Sequence, residues 1–164
     1  HENRGRILFE VLDAVGRELP HERVGIRLNP MMNGIHGMTV DEDTVPMFES
    51  LIRRANDYPL AYVHLTEPFM PNQLDGVVGG IADVAGHFHP LCRAALLSNG
   101  GFDQAQAEQW LAEDRCDAVV FGKLFIANPD LPERFRQGAA LNAPDPDTFY
   151  QGGEKGYADY PALT

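Results

Sequence analysis

Two strand-to-glycine junctions in succession constrain this chain more than any other feature. The first is Ala94-Ala95-Leu96-Leu97-Ser98-Asn99-Gly100-Gly101-Phe102-Asp103. The second is Asp117-Ala118-Val119-Val120-Phe121-Gly122-Lys123-Leu124-Phe125-Ile126-Ala127-Asn128-Pro129-Asp130. Each reads as a buried strand that ends in glycine and runs on toward a helix. Glycine has no Cβ, so backbone N–H groups there can approach an anion closely. A following helix N-terminus adds partial positive charge. In an eight-stranded α/β barrel, the loops after the last two strands are the usual place for a phosphate cradle. Gly100, Gly101 and Gly122 are therefore candidate phosphate contacts, and Lys123 would add a point charge.

The rest of the chain alternates between helical and strand periods. Ile7, Leu8, Val11, Leu12, Val15 and Leu19 recur at helical spacing opposite Arg6, Glu10, Asp13 and Arg17, and Pro20 ends that helix. Residues 23–30 read as a first strand, apolar except for Arg27, for which a barrel-mouth salt bridge is the ordinary role. A Gly-rich loop over 31–43 leads to a second helix. Thr44 can cap it, Pro46 sits in its first turn, and Val45, Phe48, Leu51, Ile52 and Ala55 form its buried stripe. Residues 60–65 are a second strand, 69–80 a long loop, and 81–88 a weak helix. The third strand spans 94–98. Asp103 with Gln106 resembles a capping box, opening a helix that buries Ala107, Trp110 and Leu111. The fourth strand spans 118–121, and a short helix follows over 131–135. Residues 137–164 form an irregular tail, rich in Pro and Gly from Gly138 on, with Phe149, Tyr150, Tyr157 and Tyr160 along it.

Alternating strands and helices favour a parallel sheet. Four strands cannot close an eight-stranded barrel, and an open parallel sheet of four leaves one face and two edges uncovered. The expected fold class is thus α/β, with the chain supplying about half of a (β/α)8 TIM barrel as one domain. A second chain or copy would complete it.

Composition narrows the partners. Net charge is −11, from 13 basic and 24 acidic side chains, which argues against a nucleic-acid or anionic-membrane surface. One local cationic pocket remains compatible with it. Apolar residues at 44% and charged residues at 23% are the balance of an ordinary soluble domain with a core. Cys92 and Cys116 lie beside strand-like runs and read as small buried thiols in a reducing, cytoplasmic setting. No run is long enough to span a bilayer, and no signal peptide is visible. The chain begins at His1 rather than methionine, so a preceding segment is expected to have been removed.

Other constellations have competing readings. His87 and His89 form an H-x-H pair, and His64 and Glu67 follow the second strand. Imidazole and carboxylate suit zinc or iron. However, His87 and His89 abut Pro90 at a helix end, and His64 reads as a hydrogen-bonded core imidazole, so no metal is expected. Ser98 lacks a nucleophile elbow. Glu67 is either a general base or, more ordinarily, an acid that fixes a loop. The tail aromatics either plug a barrel mouth or, through Tyr150, line an apolar pocket above a planar cofactor.

These motifs together resemble the C-terminal half of the Old Yellow Enzyme family, flavin-dependent ene-reductases, over nearly the whole chain. Glu2-Asn3-Arg4 looks like the end of the family's signature ahead of the fourth barrel helix. Val24-Gly25-Ile26-Arg27-Leu28-Asn29-Pro30 and His64-Leu65-Thr66-Glu67-Pro68 look like its fifth and sixth strands. Asn99-Gly100-Gly101-Phe102 and the run from Phe121-Gly122-Lys123 to Asp130-Leu131 look like its seventh and eighth junctions. Thr148-Phe149-Tyr150-Gln151-Gly152-Gly153 and Gly156-Tyr157-Ala158-Asp159-Tyr160-Pro161 are similar to its tail.

The resemblance implies non-covalent FMN, reduction by NAD(P)H, and hydride transfer to an activated alkene such as an enone. It places Arg27 near the flavin N1/O2 edge, where a guanidinium stabilises the anionic charge of reduced flavin. It assigns Asn99, Gly100, Gly101, Gly122 and Lys123 to FMN and its phosphate, and Tyr150 and Phe69 to the substrate border. The family usually has arginine where Lys123 stands; lysine keeps the charge without the bidentate fork. Its N-terminal four strands are absent here. With them go the His/Asn pair that anchors the substrate carbonyl, the proton-donating tyrosine and the residues flanking the isoalloxazine. No catalytic residue is therefore expected in this chain, which would act only with a complementary N-terminal half-barrel. The alternatives are a non-catalytic, self-associating half-barrel that binds flavin or phosphate, and a metal-dependent lyase using His64, Glu67, His87 and His89.

Overall fold

In the computed structural model, which describes residues 2–150 and 153–163, helices and strands alternate along the chain. Gln151 and Gly152 of the tail motif lie outside the described residues. The order is α1 (Glu2–Gly16), β1 (Gly25–Leu28), α2 (Thr44–Ala55), β2 (Tyr62–Thr66), α3 (Val84–Phe88), β3 (Ala95–Asn99), α4 (Gln104–Ala112), β4 (Ala118–Val119), α5 (Lys123–Ala127) and α6 (Leu131–Gln137). The strands form one parallel sheet in the order β1-β2-β3-β4. This is a partial (β/α)8 arrangement, as the alternation predicts. Among the described residues, no helix is long and apolar enough to cross a membrane.

The chain divides into two units, residues 1–120 and 121–164. In the first, register decides which face each side chain joins, because the period of a strand is two. Ile26, Val63 and Leu96 are paired across the sheet, as are Leu28, Leu65 and Ser98. Val63, Leu65, Leu96 and Ser98 are fully or almost fully buried. Phe9 and Leu12 of α1, Ile52 and Ala55 of α2, and Val84, Ala85 and Phe88 of α3 pack with this face as one core. Arg27, His64 and Leu97 are paired on the other face, as are Thr66 and Asn99. Of these, Arg27 is exposed and His64, Leu97 and Asn99 only half-buried. One face of a parallel sheet thus stays open, although such sheets normally bury both.

Several sequence expectations are corrected. On α1 the buried stripe is Gly5, Phe9 and Leu12, while Ile7, Val11 and Leu19 are exposed. A Cβ at Gly5 would lie 2.3 Å from Leu51 Cδ2. Its absence lets α2 approach there, and Phe9 and Leu12 follow at i+4 and i+7. On α4, Ala107 is buried and Trp110 half-buried, but Leu111 is exposed. β4 is shorter than predicted, yet Asp117 N–H donates to Leu96 O and Val120 N–H to Ser98 O, both at 2.8 Å. Ladder bonding therefore continues one residue past each end.

The capping box on α4 forms in both directions. Asp103 accepts from Gln106 N–H at 2.8 Å, and Gln106 Oε1 accepts from Asp103 N–H at 3.1 Å. Asp103→Ala is expected to destabilise the chain by about 1 kcal/mol, read from the urea midpoint at unchanged m-value. Thr44, in contrast, does not cap α2: its hydroxyl donates to Asp41 Oδ1 at 2.8 Å and accepts from Asp41 N–H at 3.0 Å, tightening the turn before the helix.

In the second unit, α6 anchors the tail. Arg134 is 5% exposed. Its Nε donates to Asp130 Oδ1 at 2.7 Å, Nη1 to Ala140 O at 2.6 Å, and Nη2 to Pro161 O at 2.8 Å. Asp130 Oδ2 in turn accepts from Leu163 N–H at 2.6 Å. Buried Asn128 accepts from Asn142 N–H at 2.7 Å, and Asn142 Nδ2 donates to Pro161 O at 2.9 Å. A segment with little regular structure is thus held by side chains that satisfy its backbone.

Candidate cofactor site

The open face of the sheet carries one connected polar network at the C-terminal ends of β1, β2 and β3. Arg27 donates to Thr66 Oγ1 from Nη2 at 3.1 Å and from Nε at 3.3 Å. Its partner is thus a hydroxyl rather than the carboxylate of a salt bridge. Thr66 Oγ1 lies 2.6 Å from Asn29 Oδ1 and 3.0 Å from Asn99 Oδ1, and its single proton serves one of them at a time. His64 Nε2 completes the chain at 2.9 Å from Asn99 Oδ1. Burial holds the His64 imidazole below its usual pKa, opposed by the Asn99 hydrogen bond and reinforced by the Arg27 charge. Thr66, only 3% exposed, is the hub of this network. A single threonine at a strand end carries no local signal of such a role. Period-two counting from His64 would have placed it beside Arg27 and Asn99.

Beneath the network, Glu67 is 5% exposed on the helix side. It accepts from Val84 N–H at 2.7 Å, from Ala85 N–H at 2.9 Å and from Ser98 Oγ at 2.8 Å. Burial pushes its carboxyl above the ordinary carboxylate range, opposed by these three hydrogen bonds. Glu67 therefore ties the start of α3 to the end of β3, and Ser98 is engaged with it. Buried Cys116 has its thiol pushed up to about 11, first by burial and then by Glu67. It and half-buried Cys92 are both free.

The two glycines after β3 answer different demands. A Cβ at Gly100 would meet Glu67 Cβ at 2.5 Å, so that residue is small for packing. Gly101 has φ +82° and no atom within 4 Å of a would-be Cβ, so its backbone is left-handed and open on that side. In the second unit, Gly122 precedes α5 with equally open space, and Lys123 is exposed.

The substrate candidates lie in different settings. Phe69 is 48% exposed. The loop that carries it is pinned by Gln73, whose Oε1 accepts from Phe69 N–H and Met70 N–H at 3.1 Å and whose Nε2 donates to Met31 O at 2.6 Å. Sequence reading missed Gln73, because a lone glutamine in a loop carries no local signal. Tyr150 is 82% exposed at φ +60°, with edge contacts to Phe149 and Tyr157.

The histidines separate. His87 Nε2 meets Glu49 at 2.9 Å, and His89 meets Asp114 O at 2.8 Å and Asp117 Oδ2 at 3.3 Å. Among the described residues no three His, Cys, Asp or Glu side chains are grouped to hold a metal.

A parallel sheet of four strands alternating with helices, with polar side chains at the strand ends, is a partial (β/α)8 arrangement. The chain belongs to the NADH:flavin oxidoreductase / NADH oxidase family, whose profile matches residues 1–142, and so to the Old Yellow Enzyme group that its motifs resemble. It is 35% identical to 12-oxophytodienoate reductase 2 of Arabidopsis thaliana and 36% identical to 12-oxophytodienoate reductase 1 of Oryza sativa subsp. japonica. Each match covers 99% of this chain and 42% of the relative. Among solved structures, morphinone reductase superposes with a TM-score of 0.86 at 43% identity, covering 99% of this chain and 42% of that one. The old yellow enzyme from Trypanosoma cruzi gives a TM-score of 0.83 at 32% identity, with 98% and 41% covered. The chain thus spans less than half the length of these relatives.

Proposed function

We propose that this chain is the flavin-phosphate-binding half of an FMN-dependent NAD(P)H ene-reductase, active together with a complementary N-terminal half-barrel. The observation that carries the reading is the open polar face centred on Arg27. Parallel sheets are normally covered on both faces, so such a face suits a flat polar ligand and a second wall.

The residues present fit FMN. Arg27 commits Nε and Nη2 to Thr66, which fixes the guanidinium plane and leaves Nη1 without a partner among the described residues. A held cation of this kind stabilises negative charge on the flavin ring. Asn99 with Gly100 and Gly101 would supply backbone donors to the phosphate. Bound FMN would supply the redox chemistry, passing hydride from NAD(P)H to the electron-poor carbon of an enone. Phe69 and Tyr150 would border the alkene. The substrate-anchoring and proton-donating groups would come from the complementary half.

The test is to mix this chain with the N-terminal half of a relative and FMN, and to follow NADPH oxidation by cyclohexenone. Turnover restored only in the mixture is the expected result, with Arg27→Ala lowering kcat by about 100-fold. Absence of turnover together with absence of flavin binding would sink the reading. A second reading rests on β1 and β4, each of which has only one strand neighbour among the described residues. Two copies could pair through these edges. A dimer of one chain type that binds FMN without turnover would favour it.

A further inference from the structure

We propose that Glu67 is the positioning residue for the turn that faces the FMN phosphate, an inference that rests on the flavin reading above. Three consecutive residues of that turn depend on it. Ser98 Oγ donates to Glu67 Oε1 at 2.8 Å. Glu67 N–H donates to Asn99 O at 2.7 Å. The Glu67 Cβ fills the space that a side chain at position 100 would need. From the opposite side, Val84 N–H and Ala85 N–H donate to the same carboxylate at 2.7 and 2.9 Å. One side chain thus clamps the end of β3 to the start of α3.

Packing alone does not call for a carboxylate at this place. An apolar side chain would fill the same volume without the cost of burying an ionisable group. What the carboxylate adds is acceptor capacity on both oxygens, matched here by three donors. Its donors all come from inside the fold, whereas Gly101 has no atom within 4 Å of its would-be Cβ. The carboxylate is therefore satisfied on the interior side, while the Cβ side of Gly101 stays open for a ligand. Glutamine has nearly the same shape but only one acceptor oxygen, so its amide N–H₂ must confront an N–H or O–H donor. Glu67→Gln should loosen the turn while leaving the hydrogen bonds from Arg27 to Thr66 in place.

The experiment uses the reconstituted two-half complex and compares FMN with riboflavin, which lacks the phosphate. Dissociation constants come from flavin fluorescence quenching, and amide exchange at Asn99, Gly100 and Gly101 is followed in parallel. For Glu67→Gln, FMN affinity is expected to fall by about tenfold with riboflavin affinity unchanged, and the three amides exchange faster. Ser98→Ala, which removes only the link from carboxylate to turn, should move both readouts the same way by less. Equal weakening of both flavins, or an unchanged ratio, would show that Glu67 serves the fold only and would overturn the inference while leaving the flavin reading intact. Should Glu67→Gln fail to fold, Ser98→Ala decides by the same ratio. If the unsubstituted complex binds neither flavin, or binds both alike, the phosphate assignment falls and this inference with it.

Discussion

Gly100→Ala is expected to destabilise the protein by about 3 kcal/mol, although alanine is conformationally acceptable there. The new methyl carbon would stand 2.5 Å from Glu67 Cβ, about an ångström inside normal contact. Glu67 cannot yield easily. Its backbone N–H is bonded to Asn99 O, and its carboxylate is held by Val84, Ala85 and Ser98. Relief requires either distortion of the β3 turn or release of a buried carboxylate from its donors, and both are costly. The neighbouring Gly101→Ala meets open space and suffers only from its left-handed backbone, at about 1 kcal/mol. Urea unfolding of the two variants side by side provides the check. Equal effects, or a neutral Gly100→Ala, would mean that the Glu67 site is plastic.

The other large effect lies in the tail. Removing the Arg134 side chain by Arg134→Ala is expected to destabilise the second unit by about 3 kcal/mol. Three donors are lost from a group that is 5% exposed, and the carbonyls of Ala140 and Pro161 lose their charged partner. Because the tail has little regular structure, these bonds hold it more than propensity does. Limited proteolysis should cut between residues 139 and 163 far sooner in the variant, with fragments identified by intact mass. Arg134→Lys should rescue little, since an ammonium cannot reproduce the planar fork that reaches Asp130, Ala140 and Pro161 together. An unchanged cleavage pattern would mean that Asn128 and Asn142 alone retain the tail.

The sequence-level reading and the structure part company at identifiable places. Capping at Asp103 and Gln106 was legible because a capping box is closed within four residues. The stripe of α1 was not: apolar periodicity favoured Ile7 and Val11, while the helix actually turns Gly5 and Phe9 inward because α2 needs the room. Leu111 was misassigned for a similar reason, since α4 offers two apolar directions and only packing selects one. Glu67 was visible as a choice between base and loop anchor. Its actual partners, Val84, Ala85 and Ser98, lie up to 31 residues away and were not legible locally.

The four strands, their order and their alternation with helices were legible in the amino-acid sequence itself, although α5 (Lys123–Ala127) was not separated there from the helix at Leu131. Strand period, glycine punctuation and helix caps are short-range properties, and the four strands follow one another in space as they do along the chain. Tertiary structure alone decided that Arg27, His64, Thr66 and Asn99 share one network. Their meeting depends on parallel register between strands tens of residues apart, and a slip of one residue in any of them would turn its side chains to the other face.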